Sequence, residues 1–247
     1  MRRPTVGITE AGDGGLDLSW AKRIHEVTAM IVVTKQLTPG CKSVLAKYAE
    51  KSILHHTITG YGQTILEPNV PHFEDSIATV TEFCASDNFP LEHVVIRVDP
   101  IIPTERGISR AKSVLLSAAS SRFNRFRVSV IDMYPHVAKR FRNAGIALPF
   151  DGFQAPAESV KMVDDMLDAV HHEYPGIIIE ACAERALKNV RHCGCVSEYD
   201  LNILGIDFDE SDAVGYQRKD CMCFSGKKEL LNHRQPCAHN CLYCYWK

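Results

Sequence analysis

The chain is 247 residues long, 45% hydrophobic, and has a formal net charge of −2 at pH 7. This length and hydrophobic content allow one large core, and α/β barrels of this size are commonly a single domain. No run reaches the roughly 18 consecutive apolar residues of a membrane span, and no apolar leader begins the chain. We therefore expect a soluble, cytoplasmic protein with no membrane partner. Its ten cysteines indicate a reducing compartment and metal binding rather than a disulfide scaffold.

Short runs rich in β-branched residues alternate along the chain with segments whose apolar residues recur at helical spacing. The predicted strands are residues 4–9, 28–34, 53–59, 94–98, 126–131 and 176–180, and the predicted helices are residues 43–51, 73–85, 108–120 and 157–172. Such alternation predicts parallel βαβ units. Six units are too few to close an eight-stranded barrel, so we expect a partial (β/α)6 TIM-like barrel. Residues 1–190 would form its core, and residues 191–247 a cysteine-rich C-terminal segment packed on it in the same domain.

Polar residues follow each predicted strand at the end where parallel barrels place their active sites. They are Glu10, Thr34, Lys35, Thr59, Arg97, Asp99, Asp132, Tyr134, Glu180 and Cys182. Together they would line a cup for a cofactor and a substrate. Each one alone could instead be a helix cap or turn residue, and Arg97 could form a structural ion pair with Asp99.

The segment between Glu105 and Arg142 departs from the overall charge balance. It holds nine basic residues and two acids, Glu105 and Asp132, which gives a local charge of +7. Such a stretch can bind phosphates. It can equally form a set of solvated helix faces, which is the more common outcome.

Three cysteines near the C-terminus carry the strongest pattern in the chain. Cys237, Cys241 and Cys244 have C-x3-C-x2-C spacing, with Tyr243 just before the third. This arrangement suits a [4Fe–4S] cluster held by three thiolates, which leaves one iron without a protein ligand. An open coordination position allows a metal centre to do chemistry. The alternative is a zinc site completed by His239, although that residue lies inside the cysteine loop rather than beyond it.

Five further cysteines precede this loop in two Cys-x-Cys pairs and at one strand end. They are Cys182, Cys193, Cys195, Cys221 and Cys223. Four of them could hold an auxiliary iron–sulfur cluster or a zinc ion, or one could donate a hydrogen atom during turnover. Cys41 and Cys84 lie in or beside helical patterns, and we expect them to be inert small hydrophobes.

Several stretches, in order and over most of the chain, carry a family resemblance. They are residues 33–35 (Val-Thr-Lys), 57–62 (Thr-Ile-Thr-Gly-Tyr-Gly), 66–71 (Leu-Glu-Pro-Asn-Val-Pro), 97–102 (Arg-Val-Asp-Pro-Ile-Ile), 182–184 (Cys-Ala-Glu), 217–218 (Gln-Arg), 221–223 (Cys-Met-Cys) and the final cysteine loop. They resemble an uncharacterised bacterial and phage family with a radical S-adenosylmethionine (SAM)-like cysteine cluster at its C-terminus. More distantly they resemble the spore photoproduct lyase-like radical SAM enzymes. Those enzymes place the cysteine loop first, so the likeness implies a circular permutation, which neighbouring chain ends permit.

The resemblance implies a radical SAM enzyme. It would cleave SAM reductively at the [4Fe–4S] cluster to a 5′-deoxyadenosyl radical, with an electron from a flavodoxin- or ferredoxin-type donor. SAM would contact Tyr243, Glu10, Thr34, Lys35 and Thr59, although Tyr243 could be a simple core aromatic. The substrate would face Arg97, Asp99, Asp132, Tyr134 and Glu180.

A nucleic-acid base or a modified thymine is the first substrate expected, in DNA modification or repair. A small metabolite or an amino acid is the alternative substrate. The rival of another class is a non-catalytic, zinc-stabilised nucleic-acid-binding module, which would share the basic segment and the cysteines.

Overall fold

The computed structural model of the chain describes residues 4–207, 222–231 and 236–246. Its centre is one parallel sheet of eight strands, curled into a half-barrel, in the order β7-β6-β5-β4-β3-β2-β1-β8. The strands are β1 (Val6–Ile8), β2 (Ala29–Thr34), β3 (Ser52–Thr57), β4 (Val94–Ile101), β5 (Arg125–Val130), β6 (Ile178–Cys182), β7 (Arg191–Cys193) and β8 (Lys227–Glu229). The α/β class with a TIM-like parallel sheet is confirmed, but the expected number of six strands was too low.

Helices follow most of the strands, as βαβ units require. They are α1 (Pro39–Lys47), α2 (Phe73–Ser86), α3 (Glu105–Ser120), α4 (Pro135–Asn143), α5 (Ala157–Glu173) and α6 (Glu198–Ile203). Three 3-10 helices, Leu18–Glu26, Ala49–Lys51 and Leu91–His93, complete the connections. In the part of the chain that the structure describes, no helix combines the length and the apolar character needed to cross a bilayer.

Each central strand presents alternate residues to its two faces. On β4, Ile96 and Val98 join the main core, which also contains apolar residues of α2, α3 and α5. Val95 belongs instead to the core on the concave face of the sheet. Since side chains alternate along a strand, Arg97 shares that concave face with Val95. The same alternation on β5 puts Phe126 in the main core.

The concave face is filled from the C-terminal third of the chain. Val196, Leu201, Ile206 and Phe224 pack there against Ile8 and other apolar residues of the first four strands. The segment that begins at residue 191 therefore supplies strands β7 and β8 and part of the barrel interior. It is part of the same sheet and core, although its sequence is cysteine-rich and irregular.

A layer of buried charged residues lies beside the apolar core on the concave face of the sheet. Asp200 of α6 accepts hydrogen bonds from Arg125 at 2.6 Å and from Arg127 at 3.2 Å. Arg127 also donates to Glu180 on β6 at 2.8 Å. His55 of β3 lies 3.6 Å from Asp200, and burial lowers the pKa of its imidazole to about 3, so this histidine is neutral at pH 7. These charges link β5 and β6 to α6, and the neutral His55 of β3 lies beside them.

Candidate functional site

A cavity of about 530 Å³ opens at the carboxyl ends of the strands. One side is lined by residues that follow β1 and β2 and by residues in or after β4 and β5. The other side is formed by the terminal loop, which we define as residues 237–244. The cavity wall includes these residues predicted from the sequence: Glu10, Thr34, Lys35, Arg97, Asp99, Asp132, Tyr134, Cys237, Cys241, Tyr243 and Cys244.

The terminal loop is tied to the loop after β3 by hydrogen bonds to the main chain of the terminal loop. Leu242 donates its backbone N–H to the carbonyl of Leu66 at 2.9 Å. The side-chain amide of Asn69 donates to the carbonyl of Ala238 at 2.7 Å. Both partners come from the sequence run 66–71, so this run serves to seat the cysteine loop.

Arg140 of α4 holds the loop from the opposite side. Its Nε donates to the carbonyl of Leu242 at 2.8 Å, and its Nη2 donates to the carbonyl of Cys244. The loop is thus fixed between α4 and the loop after β3, with its three cysteines on the cavity.

Asp13, in the loop after β1, connects the terminal loop to β2. Its carboxylate accepts hydrogen bonds from the Thr34 hydroxyl at 2.6 Å and from the Lys35 backbone N–H at 2.7 Å. His239 Nε2 lies 3.0 Å from the same carboxylate, and His239 Nδ1 lies 3.2 Å from the carbonyl of Asn69. Burial would raise the pKa of Asp13, but the hydrogen bonds from His239 and Thr34 hold it below its ordinary value.

These contacts decide the role of His239. Both of its ring nitrogens face oxygen acceptors, and the side chain is 1% exposed. A histidine that binds zinc must offer one nitrogen lone pair to the metal. In this arrangement His239 positions the loop through Asp13 and Asn69.

Glu67 is the centre of a second buried network. It is fully buried and accepts hydrogen bonds from Lys35 at 2.7 Å, from Thr59 at 2.7 Å and from the Tyr243 hydroxyl. Lys35 also donates to the Tyr243 oxygen at 2.9 Å. Burial alone would raise the pKa of Glu67, but the Lys35 charge and these hydrogen bonds lower it below its usual range. The carboxylate thus fixes Tyr243 at the cavity wall, whereas Thr59 supports the network from outside that wall.

Arg97 and Asp99 lie on the cavity floor. Arg97 Nη2 donates to Asp99, whose other oxygen accepts from Ser129 of β5. The structural ion pair considered from the sequence is therefore present. However, Nε and Nη1 of Arg97 are buried and have no hydrogen-bond partner among the residues that the structure describes. Unsatisfied guanidinium groups are costly, so these atoms favour a ligand or water with acceptor oxygens.

Aromatic side chains form one rim of the cavity. Tyr134, just before α4, stacks on Tyr245 with ring centroids 6.0 Å apart. Phe153 contacts Tyr134 edge-on, with ring centroids 4.8 Å apart. The ring centroids of Tyr245 and Trp246 are 4.7 Å apart. Tyr134, Tyr245 and Trp246 line the cavity, and Tyr245 is 47% exposed, so the rim offers aromatic surface to a planar ring.

Glu10 follows β1 and pairs with Lys227 of β8 at 2.5 Å. Burial, together with the nearby Cys195 thiol, raises the pKa of Glu10 to about 7, against the opposing effect of Lys227. Glu229, at the end of β8, accepts from the backbone N–H groups of Glu10 and Ala11 at 3.0 Å each. Strand β8 thereby organises the cavity wall after β1.

Among the residues that the structure describes, Glu180, Cys182, Cys193, Cys195 and Cys223 do not line the cavity. Glu180 belongs to the buried ionic layer with Arg127. Cys182 and Cys195 approach each other, with 3.9 Å between their sulfurs. Cys193 on β7 is the register neighbour of Cys182 on β6. Cys223 lies next to Cys195. Cys221 lies outside the described residues, as do Gln217 and Arg218.

The donor set of the terminal loop fits an iron–sulfur cluster. Soft thiolates are the ligands that such clusters use, and the loop brings three of them to one cavity. Among residues 4–207, 222–231 and 236–246, no three His, Cys, Asp or Glu side chains have the spacing of ligands around a single ion. Thiolates on a cubane each bind a different iron, so they do not need that spacing. Burial raises the pKa of Cys241 to about 12, against the effect of Lys35, so metal binding would have to displace its proton.

The sequence did not reveal the residues that hold this site together. Asp13, Glu67, Asn69 and Arg140 each act through a partner at least 20 positions away in the chain. The one signal in the sequence was the run 66–71, which formed part of the family resemblance without a role for Glu67 or Asn69.

Fold and site define an α/β protein with a half-barrel sheet and a thiol-lined cavity at its strand ends. The chain belongs to the family described as a domain of unknown function (DUF1848), which matches residues 19–246. No curated protein matches it.

A comparison with solved structures found weak similarities to two proteins. An arginine decarboxylase of Paramecium bursaria Chlorella virus is 11% identical over 72% of this chain and 57% of that chain, with a TM-score of 0.37. The catalytic domain of a mannanase from Streptomyces sp. SirexAA-E is 16% identical over 72% of this chain and 74% of that chain, with a TM-score of 0.28. The chain therefore spans less than two thirds of the decarboxylase, and neither likeness bears on activity.

Proposed function

We propose that this protein is a radical SAM enzyme whose cluster is held by Cys237, Cys241 and Cys244. The observation that carries the proposal is that all three thiols lie on the wall of the cavity at the strand ends, opposite Arg97 and Asp99. A loop that only stabilised the fold would have no need to face such a cavity. When bound, a [4Fe–4S] cluster and SAM supply the radical that removes a hydrogen atom from a substrate.

The order of the last strand and loop supports a circular permutation. Strand β8 pairs in parallel with β1, and the terminal loop follows β8 in the chain. A strand that carries the cysteine loop and lies next to β1 is the arrangement expected if the first unit of a radical SAM barrel had moved to the C-terminus. The chain's first strand then takes the second position in the sheet.

The residues around the loop have positioning roles in this proposal. The hydrogen bonds of Asp13, Asn69 and Arg140 keep the three thiols on the cavity side. Glu67 and Lys35 fix the ring of Tyr243, against which a planar group of SAM would pack. Glu10, Thr34 and Lys35 line the cavity together with Tyr243, where they would reach the polar groups of SAM.

For the substrate we propose a planar ring molecule that carries acceptor oxygens. The aromatic rim of Tyr134 and Tyr245 suits the ring, and the unpartnered nitrogens of Arg97 suit an anionic or carbonyl oxygen. A single nucleobase, free or flipped out of a strand, meets both requirements.

The basic segment gives less support to an extended nucleic-acid surface. Arg125 and Arg127 are buried in the ionic layer, and Arg110 and Arg140 bind backbone carbonyls. Four of its nine basic residues are thus engaged inside the fold. A small substrate that enters the cavity is therefore preferred to a long duplex.

The activity is tested by anaerobic incubation of the reconstituted protein with SAM and dithionite. We expect 5′-deoxyadenosine and methionine, and no product from the Cys241→Ala variant. Cys84→Ser, on α2 and away from the cavity, is the matched control and should retain product formation. Reconstituted wild-type protein that binds iron and sulfide but forms neither product would overturn the proposal.

A further inference from the structure

Four cysteines from two separate stretches of the chain lie close together, where residues after one edge strand of the sheet contact residues before the other edge strand. Cys182 ends β6 and lies opposite Cys193 at the end of β7, while Cys195 follows two residues later. Cys223 precedes β8, which is the other edge strand of the sheet. We call Cys182, Cys193, Cys195 and Cys223 the seam cysteines. None of them lines the cavity with the terminal loop.

The distance between two of these sulfurs is informative. Cys182 Sγ and Cys195 Sγ are 3.9 Å apart. A disulfide would require about 2.05 Å. Two thiolates on one tetrahedral zinc ion, each with a Zn–S bond of about 2.3 Å, are separated by about 3.8 Å. The observed spacing therefore matches two ligands of a single zinc ion.

Backbone packing brings Cys223 to the same place. A Cβ atom on Gly194 would lie 2.4 Å from the carbonyl oxygen of Met222 and 2.7 Å from the Cα of Cys223. The turn between Cys193 and Cys195 and the segment before β8 therefore touch main chain to main chain, which glycine alone permits. In this contact the backbone N–H of Cys195 donates to Cys223 Sγ at 3.4 Å. A hydrogen bond of this kind stabilises a thiolate.

Charged groups of both signs lie near the seam cysteines. Arg127 donates to the carbonyl of Cys195 at 2.7 Å, and Lys227 of β8 lies nearby in its ion pair with Glu10. Arg127 and Lys227 favour the thiolate form that a metal ligand requires. Burial and the carboxylates of Glu180 and Asp200, by contrast, raise the pKa of Cys193 to about 12, so zinc would have to displace its proton. The site thus combines soft donors with one pair of sulfurs at ligand spacing.

We propose that the seam cysteines bind one zinc ion, which fastens the residues after β7 to the residues before β8. Cys182 and Cys195 already have the required spacing. Since no three described side chains have it, Cys193 and Cys223 complete the set by a change of side-chain rotamer. Zinc binding releases the thiol protons and involves no change of oxidation state.

The proposed ion has a structural purpose. Strands β7 and β8 are three residues long, and both are edge strands of the sheet. Short edge strands have few ladder hydrogen bonds, and open edges invite pairing with other chains. A zinc ion between them would close the seam without lengthening either strand. This inference is independent of the proposed radical chemistry.

The test measures metals in a variant that lacks the terminal loop thiols, Cys237→Ser/Cys241→Ser/Cys244→Ser. Purified anaerobically from zinc-supplemented cells, it should contain about one zinc ion per chain and almost no iron. Adding Cys182→Ser or Cys195→Ser should remove the zinc. X-ray absorption at the zinc edge of the variant with intact seam cysteines should show sulfur ligands at about 2.3 Å, and this readout does not depend on a substitution in the seam.

A pair of glycine variants separates metal binding from general damage. Gly194→Ala should weaken zinc binding at least tenfold in a chelator competition, because its Cβ would push Cys223 away. Gly176→Ala is the control, since a Cβ there has no neighbour within 4 Å, and zinc binding should be unchanged.

Three results would overturn the proposal. The first is zinc that persists when Cys182 or Cys195 is replaced. The second is iron and sulfide, instead of zinc, in the variant that lacks the terminal loop thiols. The third is metal-free protein with a disulfide between Cys182 and Cys195. If the reconstituted wild-type protein bound zinc at the seam cysteines but formed no 5′-deoxyadenosine, only the proposed function would be contradicted, and the zinc site would stand.

Discussion

Replacing Glu67 by glutamine removes a buried negative charge and keeps the size of the side chain. In the wild type, Lys35 is 15% exposed in its side chain and has the carboxylate of Glu67 2.7 Å from its amine. The introduced glutamine amide can retain one oxygen acceptor for Lys35 and Tyr243, and its NH2 group can donate to Thr59. The main loss is therefore the charge that compensates Lys35.

Breaking a buried ion pair by removing one partner costs about 3–5 kcal/mol. Because glutamine keeps most of the hydrogen bonds, we expect Glu67→Gln to lower the free energy of unfolding by about 3 kcal/mol, the lower end of this range. With a urea m-value of about 3 kcal/mol/M, this corresponds to a decrease of about 1 M in the urea midpoint. The assay is equilibrium urea unfolding followed by tyrosine and tryptophan fluorescence and by far-UV circular dichroism.

A double-mutant cycle tests the physical reason. Lys35→Met combined with Glu67→Gln should cost less than the sum of the single variants, with a coupling energy of about 1–3 kcal/mol. Glu82→Gln, at an exposed position of α2, is the matched control and should change stability by less than about 0.5 kcal/mol. If Glu67→Gln behaved like Glu82→Gln, or if the two buried substitutions were additive, the electrostatic account of this network would be wrong.

Three other predictions concern the groups around the cavity. Because the pKa of Glu10 is raised to about 7, its favourable contribution is complete below its ordinary value of 4.5 and is lost as the pH rises through 7. The urea midpoint of the wild type should therefore fall between pH 5 and pH 8 relative to Glu10→Gln; equal pH dependence would contradict this assignment. Asp13→Ala should reduce both iron incorporation and stability, the latter by about 3 kcal/mol, because it leaves His239 buried without its carboxylate; Asp75→Ala, exposed on α2, should change neither quantity. Arg140→Ala should lower iron incorporation with a smaller loss of stability, since the terminal loop loses two carbonyl contacts; iron content equal to the wild type would show that the loop needs no support from α4.

The alternation of strands and helices could be predicted because it depends on local patterns. The six predicted strands all overlap strands of the sheet, and the predicted helices match α1, α2, α3 and α5 with end shifts of a few residues. Strands β7 (Arg-His-Cys) and β8 (Lys-Lys-Glu) escaped prediction because they lack the apolar, β-branched residues that marked the equally short β1 (Val-Gly-Ile). Helix α4 was missed because Lys139, Arg140 and Arg142 interrupt its short apolar pattern of Val137, Ala138 and Phe141.

The candidate site was predictable only in part. The ends of parallel strands meet at one edge of a sheet, and this rule was enough to bring residues such as Lys35, Arg97 and Asp99 to one cavity. It misplaced Glu180, which has an arginine partner on the neighbouring strand and lies in the interior. It also gave no role to Asp13 or Glu67, because their partners are set by tertiary packing and not by local pattern.

The central claim is that the terminal loop holds a cluster with one iron open to SAM. Electron paramagnetic resonance of the reconstituted, dithionite-reduced protein, recorded with and without SAM, tests it most directly. We predict a [4Fe–4S]⁺ signal whose g-values change when SAM is added, and the loss of that signal in Cys244→Ala. A signal that SAM leaves unchanged, or one that survives the loss of Cys244, would contradict the claim.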